Sequence, residues 1–158
     1  MADIVLCRID ERLVHGQITA QWIGYLGLDS IVVADRDTAA SNFRQGLMDM
    51  AVPNSVETHY WSPEEAIIRL KDDDSQKRTL LLVKSPAVLL QLLRGGIPIA
   101  EADVGLMEKK DNTVQVDTQV FVSEDDRDAL RKIKEMGTVL YIQALPYEEK
   151  KDDSILLK

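Results

Sequence analysis

At 158 residues, 45% hydrophobic and 29% charged, the chain fits one domain that buries a core without disulfide or metal staples. Nineteen Lys and Arg against 27 Asp and Glu leave a net charge of −8, which excludes a global basic footprint for nucleic acid. A single cysteine (Cys7) and two histidines (His15, His59) exclude a disulfide framework and a multi-cysteine zinc site, and leave little for a histidine metal cluster.

Asp3 to Cys7 reads as a short buried strand, and residues 8–16 (RIDERLVHG) as a polar loop. From Gln17 a helical period places Ile18, Trp22, Tyr25 and Leu26 on one face, with Gly24 and Gly27 at its end. Ser30 to Ala34 is a second buried strand ending at Asp35. Phe43, Leu47, Met50 and Ala51 mark a second helix closed by Pro53, and Val56 to Trp61 a third strand. Ser62-Pro63-Glu64-Glu65 opens a helix with a cap, a proline at N1 and a capping box; Ala66, Ile67 and Leu70 form its buried face.

Lys71 to Lys77 is a charged turn, and Thr79 to Val83 the strongest strand run. Ser85-Pro86 repeats the cap-and-proline start for a helix running to Gly95-Gly96. Asp103 to Met107 and Val114 to Val122 have strand character, in a hairpin-like region. Ser123 caps a last helix with Leu130, Ile133 and Met136 as its core face and Gly137 as its stop. Thr138 to Leu145 is a final strand, and 146–158 a charged tail with one apolar cluster, Ile155-Leu156-Leu157.

Strands alternating with helices predict an α/β fold: an open, doubly wound, mostly parallel sheet with helices on both faces. The late run of consecutive strands predicts an antiparallel edge. No apolar run approaches the ~20 residues needed to span a bilayer. Met1-Ala2-Asp3-Ile4 lacks the basic and long apolar regions of a signal peptide, so a cytoplasmic domain covering 1–158 is expected.

In open sheets, ligands sit outside the carboxyl ends of the strands, and the first loop leaves one such end. It carries Arg8, Asp10, Glu11, Arg12, His15, Gly16 and Gln17. A helix N-terminus offers free N–H groups to an anion. Arg8 and Arg12 would add charge-assisted contacts to phosphate, and Gly16 lets the backbone approach. A neutral imidazole is a competent nucleophile toward phosphorus, and Asp10 would orient the ring or an arginine. The plain alternative is a polar loop with surface ion pairs.

The run Arg8-Ile9-Asp10-Glu11-Arg12-Leu13-Val14-His15-Gly16-Gln17-Ile18 resembles the signature loop of the enzyme IIB component in the mannose/fructose/sorbose family of the bacterial phosphotransferase system. Collinear segments extend the resemblance over nearly the whole chain: Ala34-Asp35, Leu47 to Pro53, Leu81 to Pro86, Gly96 to Ile99, Val104-Gly105 and the closing strand to Leu145-Pro146. The resemblance implies a phosphocarrier. His15, phosphorylated at Nδ1, would take a phosphoryl group from a IIA phosphohistidine and pass it to a sugar held by the membrane IIC and IID components. Arg8, Asp10, Arg12, Gly16 and Gln17 fall among the supporting loop positions; no metal or cofactor is needed, and the protein would sit at the membrane face through its partners.

Asp35, Lys84 and Ser85 stand at neighbouring strand ends. Ser85 serves equally as a plain helix cap, and Asp35 as a cap or solvating residue. His59 reads as a partly buried structural histidine and Cys7 as a small core residue. Gly105-Leu106 stands where the family commonly has a glycine pair, Ala40-Ser41 where Asn-Asp is common, and Asp111 to Phe121 matches poorly. These departures leave the sugar open. A different reading keeps the fold as a regulatory or partner-binding module. A third, an Asp-phosphorylated receiver-like domain, lacks the acid cluster that magnesium would need.

Overall fold

The protein is described by a computed structural model covering the backbone of residues 1–158 and every side chain except those of Gln17 and Ile18. The elements in order are β1 (Asp3–Asp10), α1 (Gly16–Leu26), β2 (Ser30–Ala34), α2 (Arg36–Ala39), α3 (Asn42–Asp49), β3 (Glu57–Trp61), α4 (Pro63–Asp72) and β4 (Arg78–Val83). They continue with α5 (Pro86–Arg94), β5 (Glu101–Leu106), β6 (Val114–Asp117), β7 (Val120–Val122), α6 (Glu124–Glu135), β8 (Val139–Ile142) and β9 (Lys151–Asp152).

Seven strands form one sheet in the order β3-β2-β4-β1-β5-β8-β9. All neighbours are parallel except β8 with β9. β1 is central, between β4 and β5. Strand side chains alternate between two faces. Cys7, Ile9, Val32, Ala34, Leu81, Val83, Ala102 and Val104 pack under Ala66 and Leu70 of α4, Leu89 and Leu92 of α5, and Leu130 and Ile133 of α6. Leu6, Ile31, Val33, Leu80 and Leu82 face the other way, toward Trp22 of α1 and the Met48–Val52 segment. Helices therefore cover both faces, as the alternation predicts.

Local chemistry sets the helix ends. Ser41, Ser62, Ser85 and Ser123 each accept a hydrogen bond from a first-turn N–H. The reciprocal box forms at Ser123 and Asp126. At the expected Ser62 box, the Glu65 carboxylate is engaged by Arg69 instead. α1 stops at Gly27, whose φ of 60° suits a glycine.

Five expectations change. The first loop is shorter, because Arg8, Ile9 and Asp10 belong to β1; polar residues there are paired across strands, which hydrophobic patterning does not register. The helix expected over 43–51 forms as α3, but a short helix, α2, that was not expected precedes it, and Phe43, Leu47 and Met50 face solvent. Tyr25 and Met136 are likewise exposed. The antiparallel edge is β9 in the tail, while β6 and β7 pair only with each other and hang from the end of β5 through Met107. The tail is folded, and a 3-10 turn at Asp153–Ile155 delivers Leu156 into the core with no exposed surface.

Among the described residues, no helix is long and apolar enough to cross a membrane. The buried tail carries a prediction. Leu156→Ala should cost about 2–5 kcal/mol in urea unfolding, as a buried leucine truncation does. Exposed Ile155→Ala should cost under about 1 kcal/mol. Equal small losses would mean the tail is not part of the core.

Candidate active site

The site begins with two alternate residues of β1, Arg8 and Asp10, which face α1. Arg8 is opposite Asp103 on the adjacent strand β5. The residue is almost wholly buried, at 2% exposure. Nε donates to Asp103 Oδ2 at 3.1 Å, Nη1 to Asp10 Oδ2, and Nη2 to the Ala144 carbonyl at 2.9 Å. The Trp22 ring lies 5.6 Å from the guanidinium carbon, and its indole N–H donates to the same Ala144 carbonyl at 3.2 Å. Gly105 makes room: a Cβ there would stand 2.3 Å from the guanidinium carbon.

Asp10 passes this order outward. Its Oδ1 accepts the Arg12 backbone N–H at 2.9 Å, fixing the turn that leaves β1. Its Oδ2 lies 3.0 Å from His15 Nε2. Leu13 and Val14 are buried among α1-side core residues and pin the loop down. Leu13 takes up a left-handed φ of 59° to do so. His15 then caps α1 with extended backbone. Thr19 accepts the His15 N–H through Oγ1 at 2.9 Å and donates its hydroxyl to the His15 carbonyl at 3.1 Å. Gly16, with φ of 45°, opens the helix.

This geometry selects a ring nitrogen. An ionised carboxylate only accepts, so Nε2 carries the proton that bonds Asp10. In the neutral ring, Nδ1 then holds the free lone pair. His15 keeps a fifth of its side chain exposed while Asp10 is sealed. The free first-turn N–H groups and positive end of α1 lie beside it.

Electrostatics follow burial. Desolvation works to raise the Asp10 carboxyl, but the His15 hydrogen bond and the charge of Arg8 hold it below the usual carboxylate value. Desolvation pushes Asp103 up to about 7, against the pull of Arg8 and of the Gln143 N–H at 2.8 Å on its Oδ1. The two carboxylates therefore act in different windows: Asp10 adds stability that is lost as pH falls below about 4, whereas Asp103 opposes folding as pH rises from about 4 to 7.

Sequence reasoning gave Arg8 a direct phosphate contact. The structure places Arg8 otherwise: all three guanidinium nitrogens are engaged inside the protein, and the residue is almost wholly buried. Arg12 is not brought to the imidazole: its side chain is exposed, 3.9 Å from Glu108, while its N–H holds Asp10. The side chain of Gln17 lies outside the described residues. Asp35 and Lys84 meet each other, 3.7 Å apart, at the ends of β2 and β4. Asp35 also caps α2 by accepting from Thr38 N and Oγ1 at 3.1 and 2.7 Å, and Ser85 caps α5 through Val88 N. Asp103, Gly105, Thr19 and the Ala144 carbonyl were missed. An acid inside the otherwise apolar run Ala102-Asp103-Val104-Gly105 was the available signal.

Asp10→Asn tests the pairing. In urea unfolding, wild type should lose stability as pH falls below about 4, and the variant should lose less across that window. Parallel curves would show that Asp10 is not held below its usual value.

A family model described as the PTS system sorbose subfamily IIB component matches residues 4–158. The N-acetylgalactosamine-specific phosphotransferase enzyme IIB component 2 of Escherichia coli K12 is 33% identical over 94% of each chain. The mannose-specific EIIAB component of the same organism is 30% identical over 93% of this chain and 46% of its own length. The crystal structure of the E. coli N-acetylgalactosamine-specific IIB component 1 superposes with a TM-score of 0.90, at 29% identity, over 94% of this chain and 98% of that one. The fold, the first loop and the match across β1 to the tail agree, and the chain belongs to the sorbose-subfamily IIB components of the phosphotransferase system.

Proposed function

We propose that this chain is a IIB phosphocarrier in which His15 holds the phosphoryl group on Nδ1. One observation carries the residue-level reading: Asp10 occupies Nε2, leaving Nδ1 as the nucleophile at the exposed end of a helix. Residues 1–158 act as one IIB unit.

In the first half-reaction, the Nδ1 lone pair of His15 attacks the phosphorus of a IIA phosphohistidine. A P–Nδ1 bond forms, and the donor's P–N bond breaks, returning its electron pair to the donor imidazole. In the second half-reaction, a sugar hydroxyl oxygen attacks that phosphorus. The P–Nδ1 bond breaks, the imidazole recovers its lone pair, and the hydroxyl proton leaves to a base. Phosphoryl transfer of this kind depends on in-line positioning and charge stabilisation. The amides of α1 supply donors to the equatorial oxygens. Exposed Arg12 swings toward the phosphate when it arrives, because its weak Glu108 contact holds it loosely. Asp35 and Lys84 form the flank of the same sheet edge.

The donor is a IIA protein, consistent with a mannose-specific EIIAB relative whose name joins the two components. The acceptor is a sugar presented by IIC and IID membrane partners. The protein works in the cytoplasm, at the membrane face through those partners, and the −8 charge gives no direct attraction to anionic lipid.

The test is transfer of label from phosphoenolpyruvate through the general phosphotransferase proteins and a IIA donor. Wild type should take up acid-labile label and His15→Ala none. Arg12→Ala should slow uptake at least about 10-fold while leaving the melting temperature nearly unchanged, since exposed side chains contribute little to folding. A labelled His15→Ala protein would place the phosphoryl group elsewhere.

A further inference from the structure

We propose that Asp103 is a positioning residue for the His15 phosphoryl group: it neutralises Arg8, so that the charge of Asp10 stays available to the imidazole. This rests on the phosphocarrier reading of His15.

Charge is confined in a sealed space. Arg8, Asp10 and Asp103 are each at most 2% exposed. One guanidinium faces two carboxylates, so the cluster carries a net charge of −1. The neighbouring ionisable groups do not change that sum. Cys7 on β1 and Tyr141 on β8 are both pushed up by burial and by the charge of Asp103, and stay neutral. When Nδ1 is phosphorylated and Nε2 keeps its proton, the ring becomes formally cationic. The cluster then balances it. In a poorly solvated site an unbalanced charge is costly.

Without Asp103, Arg8 and Asp10 would cancel each other, and Asp10 Oδ2 would be drawn to the guanidinium that it already touches. The ring cation would lose its counterpart. The P–N bond would then break more readily, because its cleavage removes that charge. The geometry is built for Asp103 in this role. Its two oxygens receive two donors, Gln143 N–H and Arg8 Nε, as an ionised carboxylate requires. Gly105, two residues on and on the same face, holds the guanidinium in reach of both acids.

The experiment loads purified protein with phosphoramidate at pH 8, where Asp103 is ionised, and follows loss of phosphohistidine by 31P NMR. His15→Ala is the control. Asp103→Asn should shorten the lifetime about 10-fold, the order by which supporting partners of an oriented histidine act. Asp10→Asn should shorten it at least as much. In the double variant Asp103→Asn should add nothing, because its path through Asp10 is gone. A folded Asp103→Asn protein with a wild-type lifetime would overturn the proposal, as would the same factor on both backgrounds. If Asp103→Asn fails to fold, Asp103→Ser, which also removes the charge while leaving an oxygen acceptor beside Arg8, must give the shortening. No phosphohistidine on wild type would overturn the phosphocarrier reading itself.

Discussion

A cation buried in the middle of the sheet organises this molecule. Removing Arg8 from water is expensive, and only good geometry with full hydrogen bonding offsets the cost. Here the compensation comes from three places distant in sequence: Asp10 on the same strand, Asp103 on β5 and the Ala144 carbonyl after β8. The guanidinium fits only because residue 105 has no side chain. The pairing of β1 with β5, the exit of the chain from β8 and the seat of Trp22 on α1 are thus tied to one charged group. An apolar residue at position 8 would bury more cheaply. It would also leave the buried Asp10 without its guanidinium counter-charge, with only the Arg12 N–H and His15 to hold it.

The chemistry grows out of that arrangement. The scaffold holds Asp10 in place, Asp10 holds one nitrogen of His15, and the other nitrogen is left free at the head of a helix. Thr19 closes both backbone groups of His15 onto α1, and Leu13 and Val14 sink the loop into the core. Rigid support beneath and partial exposure above suit the phosphocarrier role proposed for His15. The flanking Asp35–Lys84 pair belongs to the same sheet edge but satisfies itself, with Asp35 also ending as the cap of α2.

Much of this was legible in the amino-acid order. Runs such as Ser30 to Ala34 and Thr79 to Val83 are buried on both faces and read as strands without ambiguity. Ser-Pro starts at 62 and 85 announce helices through local capping chemistry, which does not depend on the rest of the fold. The His15 loop stood out through its resemblance to a family signature, since its residue types alone also fit a polar surface loop. What patterning hid was long-range pairing. Arg8 and Asp10 look like loop residues until Asp103 is set beside them, and no local signal joins positions 95 residues apart. The same limit explains the tail, where Leu156 is buried only because β9 returns to β8. It also bears on α3, whose apolar period marked a helix but could not say that Phe43, Leu47 and Met50 would be exposed.

The central claim is that Asp10 occupies Nε2 and leaves Nδ1 to carry the phosphoryl group. The direct measurement is 15N and 31P NMR of the phosphorylated protein, which identifies the ring nitrogen bonded to phosphorus. The account predicts a single Nδ1-linked phosphohistidine at position 15 with a retained Nε2–H. An Nε2-linked species would contradict it, because forming that bond requires the imidazole to leave Asp10.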